Sequence, residues 1–412
     1  MNSYLLVVLV ILIVGYLLEV TVSQLTLRSL DPALPEEFVG IYDPDEYGRS
    51  QEYTRVTTRF SILQASIMLP LTIAFILLGG FNGLDTWARS FGLSQVLTGL
   101  VFTALVMLLA FLTQLPFSLY STFVIEERFG LNNTTGKTYL LDILKTILLA
   151  VVLGGPVLAL VFLFFERYGG TAWLYCWLLV AVVTIVIQVI APVIILPLFN
   201  RFTPLEDGPL QEAITAYACQ QGFPLQGVFT MDGSRRSNRL NAFFTGFGRF
   251  RRIVFFDTLL AKMTGPEIMA ILAHEMGHWK KKHILKMTVI SLLQTGFMFA
   301  LMSLFISNRG LFAAFGMDHV SVYAGLVFFG FLYTPIATVV SILTNTISRR
   351  HEYEADAYAV ASTGLGEELI MGLKKLCRAN MANLTPHPLQ VVVGYSHPPV
   401  LERIRAIRSM RR

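Results

Sequence analysis

The run His274-Glu275-Met276-Gly277-His278 sets two imidazoles four residues apart. On a helix, positions i and i+4 share one face, a turn apart. Two imidazole nitrogens need that separation to hold one zinc ion. Glu275 points to the side, where it can take a proton from a metal-activated water. An ordinary amphipathic helix could carry the same letters, with Leu272, Ala273 and Trp279 simply packing. A catalytic zinc takes three protein ligands and keeps a fourth position open, so a third ligand must come from another element. The segment Arg349-Arg350-His351-Glu352-Tyr353-Glu354-Ala355-Asp356 offers one. Glu352 and Asp356 again lie one turn apart. That suits Glu352 as the ligand and Asp356 as the acceptor for a ligand's ring N–H. His351 competes with Glu352 on residue type, and Glu354 reads as a solvated charge. In Tyr395-Ser396-His397-Pro398-Pro399, proline holds the residue before it extended. His397 is therefore presented at a fixed angle, ahead of a helix that carries Arg403. A peptide hydrolase needs a donor for the oxyanion of its tetrahedral intermediate, and either residue could serve. A buried structural turn fits these residues equally well. His283, His319 and His387 have no partner in the sequence and read as structural.

The elements that must place these groups are legible nearby. Thr264 and Glu267 have capping-box spacing and Pro266 sits in the first turn, so a helix should start there and run to about Lys282. Residues 210–222 have helical apolar spacing, and 227–231 suit a short strand. Residues 241–244 and 253–256 are aromatic and β-branched, and 245–252 is basic and glycine-containing. That pattern predicts a strand pair.

The whole chain is unlike a soluble enzyme. Of 412 residues, 54% are hydrophobic and 14% charged, against roughly 25% charged in ordinary soluble domains. Seven apolar stretches, near 4–22, 60–78, 96–119, 143–165, 172–196, 284–306 and 322–343, reach the ~20 residues a bilayer demands. The first has no basic lead and no small-residue cleavage site, so it reads as an anchor and not a cleaved signal. Of the 32 Lys and Arg, 27 fall in the loops after the odd-numbered spans and 3 in the alternate ones. The positive-inside rule then puts the N-terminus outside, with the catalytic pieces and C-terminus cytoplasmic. The basic tail from Arg403 to Arg412 suits anionic lipid better than nucleic acid, because no reading module accompanies it. Three scattered cysteines supply neither a disulfide framework nor a thiolate zinc site. The organisation expected is spans one to five with their loops over 1–196, a first protease piece over 197–283, two spans over 284–343, and a second protease piece over 344–412.

Together HEMGH, SRRHEYEADAYA and SHPPVLERI, in that order, resemble the type I CAAX prenyl endopeptidases, which are integral-membrane zinc metalloproteases. The likeness extends to EERFGLNNTT (126–135), LPLFNRFTPLEDG (196–208) and SNRLNAFFTGFGRFRRIVFFDTLL (237–260). It implies an all-α polytopic membrane protein, with seven transmembrane helices forming a barrel around a chamber. A zincin-like cytoplasmic catalytic domain with a short β element caps it. It further implies one Zn2+ per chain held by His274, His278 and Glu352, with Glu275 as the catalytic base. Asn241 lies on the strand that aligns substrate, and His397 and Arg403 lie near the substrate carbonyl. The family's eukaryotic members trim C-terminal tripeptides from prenylated proteins. This chain is shorter than those and lacks a dilysine tail, so a bacterial inner-membrane homologue is expected. Its substrate is then a peptide or protein, prenylated or met in membrane quality control. A transporter with a structural zinc site is the rival reading.

Overall fold

The computed structural model describes residues 2–245 and 251–410. Residues 246–250 of the expected strand connection, and Arg411 and Arg412 of the tail, lie outside the described residues. Among the described residues six helical runs are long and apolar enough to cross a membrane: Ser3–Arg28, Pro44–Leu77, Gln95–Glu126, Gly136–Phe199, His283–Phe305 and Val322–Thr363. The expected fourth and fifth spans form one run, Gly136–Phe199, of 64 residues. Straight, it would measure about 95 Å, three times a bilayer's hydrocarbon core. It is not straight. Gly169, at φ +51°, opens a tight turn over Gly169–Thr171. The helix Ala172–Ile190 folds back there against Gly155–Tyr168. Large side chains such as Leu108, Leu148, Val182, Leu293 and Leu343 stay exposed along these runs. Lipid, not water, is the solvent such a surface suits.

Beyond the membrane runs lies one small four-stranded sheet, ordered β1-β2-β4-β3. Its strands are β1 (Phe202–Pro204), β2 (Leu225–Met231), β3 (Ala242–Thr245) and β4 (Arg251–Phe256). β2 and β4 are parallel, while β3 pairs antiparallel with β4, Ala242 opposite Phe255 and Thr245 opposite Arg252. The predicted strand pair is thus present, with β3 left at the sheet's edge. The helix Pro209–Gln220 realises most of the 210–222 prediction and stops before Gly222, whose φ is +68°. The motif helix Gly265–Lys280 starts with the expected capping box, Thr264 and Glu267 bonding reciprocally.

One apolar cluster joins the sheet, the motif helix and the C-terminal helices. Ile268, Leu272 and Met276 of the motif helix pack with Ile214, Phe255, Ala359, Leu373 and Ile404. The segment after the first span, which the sequence presents as a polar connection, also enters this core through Phe38, Tyr42 and Tyr47, all buried. Around it, Glu37 pairs with Lys374 and Arg408, and Arg378 with Glu46. The two arginine pairs lie at the surface and are worth little individually. The buried aromatics carry the attachment.

The motif helix meets the 42-residue helix Val322–Thr363 at Gly277. A Cβ built on Gly277 would stand 3.0 Å from the Ala355 Cα, 3.1 Å from its carbonyl oxygen and 3.2 Å from the Tyr358 ring. Backbone therefore touches backbone, and Glu352 is brought within reach of the two histidines. A bulkier residue must push the helices apart, at about 1–3 kcal/mol for overpacking. Gly277→Val should lower the melting temperature in detergent and weaken zinc binding. Gly265→Ala on the same helix, where a Cβ meets nothing within 4 Å, should do neither. Equal behaviour of the two variants in thermal melts and metal titration would contradict this account.

Candidate metal centre

Three ligand atoms converge where the two helices touch. His274 and His278 Nε2 stand 3.2 Å apart. Glu352 Oε1 lies 3.3 Å from His278 Nε2, and its Oε2 lies 3.5 Å from His274 Nε2. A tetrahedral ion bound at 2.0–2.1 Å spaces its ligands about 3.3 Å apart. The cluster already has that spacing, and its donor set of two imidazoles and one carboxylate suits zinc. His351, the competing candidate, is not in the cluster; its ring stacks on His283, centroids 3.9 Å apart.

The surrounding charges fix the ligands. His274 turns its Nδ1 to Asp356 Oδ1 at 2.8 Å, the outer partner anticipated for it. Asp356 is fully buried and takes two bonds from Arg403, at 2.8 and 2.6 Å. Arg403 also lies 3.2 Å from Glu352 Oε2. Its guanidinium is therefore committed to two buried carboxylates, although it still lines the cavity beside the cluster. Burial pulls down on the His274 imidazolium, but Asp356 and Glu352 outweigh it and hold its pKa up at about 9. Burial pushes the Glu275 carboxyl above the usual carboxylate range, against the pull of the neighbouring histidines. Such a group is disposed to accept and return a proton near neutrality.

A cavity of about 740 Å³ opens over the cluster. Glu275, His397 and Asn241 line it together with the ligands, so the sequence-predicted residues do meet in one place. His397 Nε2 reaches to 3.5 Å from Glu352 Oε1, while its Nδ1 lies 3.0 Å from Ser396 Oγ. If the serine hydroxyl donates there, Nε2 carries the proton and faces the cavity as a donor. β3 forms another wall, with its unpaired edge available. The membrane side contributes Gln188, Met287, Thr288 and Ser291. Gln188 donates to Thr288 at 3.4 Å, so this intramembrane glutamine also links two helices.

Sequence reasoning missed what holds β3 in place. Asn380 accepts from the Leu240 N–H at 2.9 Å and donates to its carbonyl at 3.2 Å, a two-point clamp just before Asn241. Arg239 donates to both oxygens of Glu126 at 3.0 Å, at the end of the third membrane run. No spacing rule connects residues so distant, though the quoted stretches 126–135 and 237–260 are the segments that meet.

Residues 204–411 match the model of peptidase family M48, and residues 24–201 match that of the CAAX prenyl protease N-terminal domain, five membrane helices. The chain belongs to peptidase family M48. This M48 peptidase is 36% identical to the CAAX prenyl protease 1 homolog of Arabidopsis thaliana, over 96% of this chain and 95% of the relative. It is 35% identical to CAAX prenyl protease 1 of Saccharomyces cerevisiae, over 95% and 91%. Its fold superposes on the crystal structure of S. mikatae Ste24p with a TM-score of 0.94 and 33% identity, covering 99% of both chains. As an M48 peptidase it is a zinc-dependent metalloendopeptidase and an integral, multi-pass membrane protein.

Two predictions follow from the centre of this M48 peptidase. Below about pH 9 the metal-free His274 is protonated, and zinc must displace that proton. Zinc affinity should therefore rise about tenfold per pH unit between pH 7 and 9, measured by chelator competition. A flat profile would contradict the charge assignment. The second concerns roles. Glu275→Gln should keep zinc and lose nearly all cleavage. Glu352→Gln should lose zinc, because an amide does not replace an anionic ligand, and His351→Ala should keep it. Elemental analysis beside a peptide-cleavage assay separates these outcomes.

Proposed function

We propose that this M48 peptidase cleaves the C-terminal segment of prenylated peptides, with the peptide added as a strand to the β3 edge. The observation that carries this reading is the shared cavity. It is lined by the edge strand β3 with Asn241, by His274, Glu275, His278 and Glu352, and by Gln188, Ile284 and Met287 of the membrane helices. An extended peptide gains main-chain bonds from such an edge. An apolar group attached to it would reach the membrane side through Ile284 and Met287. The names of the relatives, CAAX prenyl proteases, support the same substrate class.

In this reading His274, His278 and Glu352 hold the metal. Zinc, when bound, polarises the scissile carbonyl and lowers the pKa of a water to about 7. Glu275 takes the water's proton and returns it to the leaving nitrogen. His397 donates to the carbonyl oxygen as its charge grows. Asn241 fixes the strand register. Arg403 and Asp356 act from behind, by orienting Glu352 and His274. The run Gly136–Phe199 crosses twice, which gives seven crossings, and the protease domain is assembled from 197–283 and 344–412. The loop charges support a cytoplasmic catalytic domain and an external N-terminus. The relatives compared above are eukaryotic, so a bacterial inner membrane rests only on the sequence expectation.

The test is a matched peptide pair, farnesylated and unmodified on the same cysteine, with purified zinc-loaded protein. The reading expects cleavage on the C-terminal side of the modified cysteine, with kcat/KM at least about tenfold higher for the farnesylated peptide, the advantage that ~1.4 kcal/mol of added apolar burial gives. Equal rates would favour a quality-control protease indifferent to prenylation. Zinc bound in full with neither peptide cut would favour the structural-zinc rival.

A further inference from the structure

The two metal-facing histidines have different support. His274 rests directly on the buried Asp356. His278 instead turns its Nδ1 to the Nδ1 of His283, 3.1 Å away. His283 Nε2 lies in turn 3.1 Å from Glu354 Oε2. The sequence alone gives neither residue a function: His283 reads as structural and Glu354 as a solvated charge.

We propose that His283 and Glu354 form a hydrogen-bonded chain that sets the tautomer and ring angle of His278, making His283 a positioning residue of the metal centre. The inference rests on the zinc reading and goes beyond it to residues outside the ligand set. The proton arrangement follows from the geometry. His278 Nε2 faces His274 Nε2 and Glu352, so it must offer a lone pair to a metal. A neutral imidazole then carries its hydrogen on Nδ1. That N–H points at His283 Nδ1, which must accept. A neutral His283 that accepts on Nδ1 carries its hydrogen on Nε2, and that N–H points at the Glu354 carboxylate. Each N–H therefore has an acceptor, and the carboxylate terminates the chain. A hydrogen on His283 Nδ1 would set two N–H groups against each other.

The backbone supports this role. Lys282 takes a left-handed conformation, φ +58°, between the motif helix and the helix His283–Phe305. For a non-glycine residue that conformation is sterically disfavoured. The corner places His283, as the first residue of a membrane run, back against His278. The side chain is almost wholly buried, at 2% exposure, and lies flat on His351 with 11° between the rings. Its plane is therefore held by stacking, and its two nitrogens by the chain. Glu354 is half exposed, so it can be replaced without opening the core.

Zinc affinity by chelator competition, and the melting temperature of the metal-free protein, test the proposal without any substrate. His283→Phe keeps a flat ring for His351 and removes both nitrogens. It should weaken zinc binding 10- to 100-fold, the usual range for a ligand's outer partner, with the metal-free melting temperature near that of wild type. His283→Asn restores an acceptor near the Nδ1 position and should recover part of the loss. Glu354→Ala should weaken zinc several-fold and Glu354→Gln, which keeps a neutral acceptor, should do so less. Wild-type zinc affinity in His283→Phe would overturn the proposal. So would Asn binding no better than Phe, or a melting-temperature loss that accounts for the whole effect. Should His283→Phe not fold, the Glu354 pair decides: affinity unchanged in both overturns the chain. Failure of the zinc reading itself would look different, because wild type would then bind no zinc.

Discussion

Everything chemical in this protein depends on one close helix contact. Gly277 lets the motif helix lie against the backbone of Ala355. At that distance Glu352, one turn earlier on the long helix, reaches between His274 and His278. The same turn brings Asp356 under His274. Two ligands are thus spaced by helical geometry, and the third by how near two helices can come. The former is a local property of five residues. The latter depends on the whole core that presses the helices together, including Phe38 and Tyr47 from beyond the first membrane run. A metalloprotease centre of this kind cannot form before its distant pieces have packed.

The contact also concentrates charge where water is excluded. Glu352 and Asp356 are both buried, and unpaired carboxylates in such a place would be prohibitively costly. Arg403 offsets one of them and bonds to both. One further positive charge is needed. In the metal-free protein the His274 proton supplies it, which is why the two carboxylates hold its pKa near 9. When zinc takes the proton's place the site gains one more positive charge, and Glu275 stands beside it with a carboxyl raised by burial. Loss of a proton from Glu275 then becomes easier once metal is present. The electrostatic design therefore couples metal binding to the readiness of Glu275 for the proposed role of base.

How much of this was legible in the sequence depends on range. The motif helix, its capping box and its two histidines are local patterns, and the structure carries them where the spacing put them. Glu352 with Asp356 was legible for the same reason, as one helical face. The strand pair showed in its two short runs of aromatic and β-branched residues. The role of residues 24–59 was hidden, because Phe38, Tyr42 and Tyr47 are scattered among Pro, Asp and Glu. Their burial comes from a surface formed by other parts of the chain. The fourth and fifth spans were legible as two, because the gap that hydropathy leaves between 165 and 172 holds the Gly169–Thr171 turn where the chain folds back. His283 was hidden for a sharper reason. Its partnership with His278 needs a left-handed corner at Lys282, and lysine gives no signal for one.

The membrane helices do more than anchor. In the proposed binding mode a peptide laid on β3 is cut where its carbonyl meets the metal, so the register of that strand decides the bond. Placement must hold to well under the 3.3 Å rise per residue of an extended chain. β3 pairs with β4 on one side alone, too little to fix it by itself. The segment leading into it is held by the Asn380 clamp and by Arg239 bonded to Glu126, at the end of a run that crosses the membrane. His283, at the start of another run, is fixed against His278. One membrane run thus bears on the strand and another on the metal. In the proposed binding mode the distance between substrate and ion therefore depends in part on how these two membrane runs stand relative to one another.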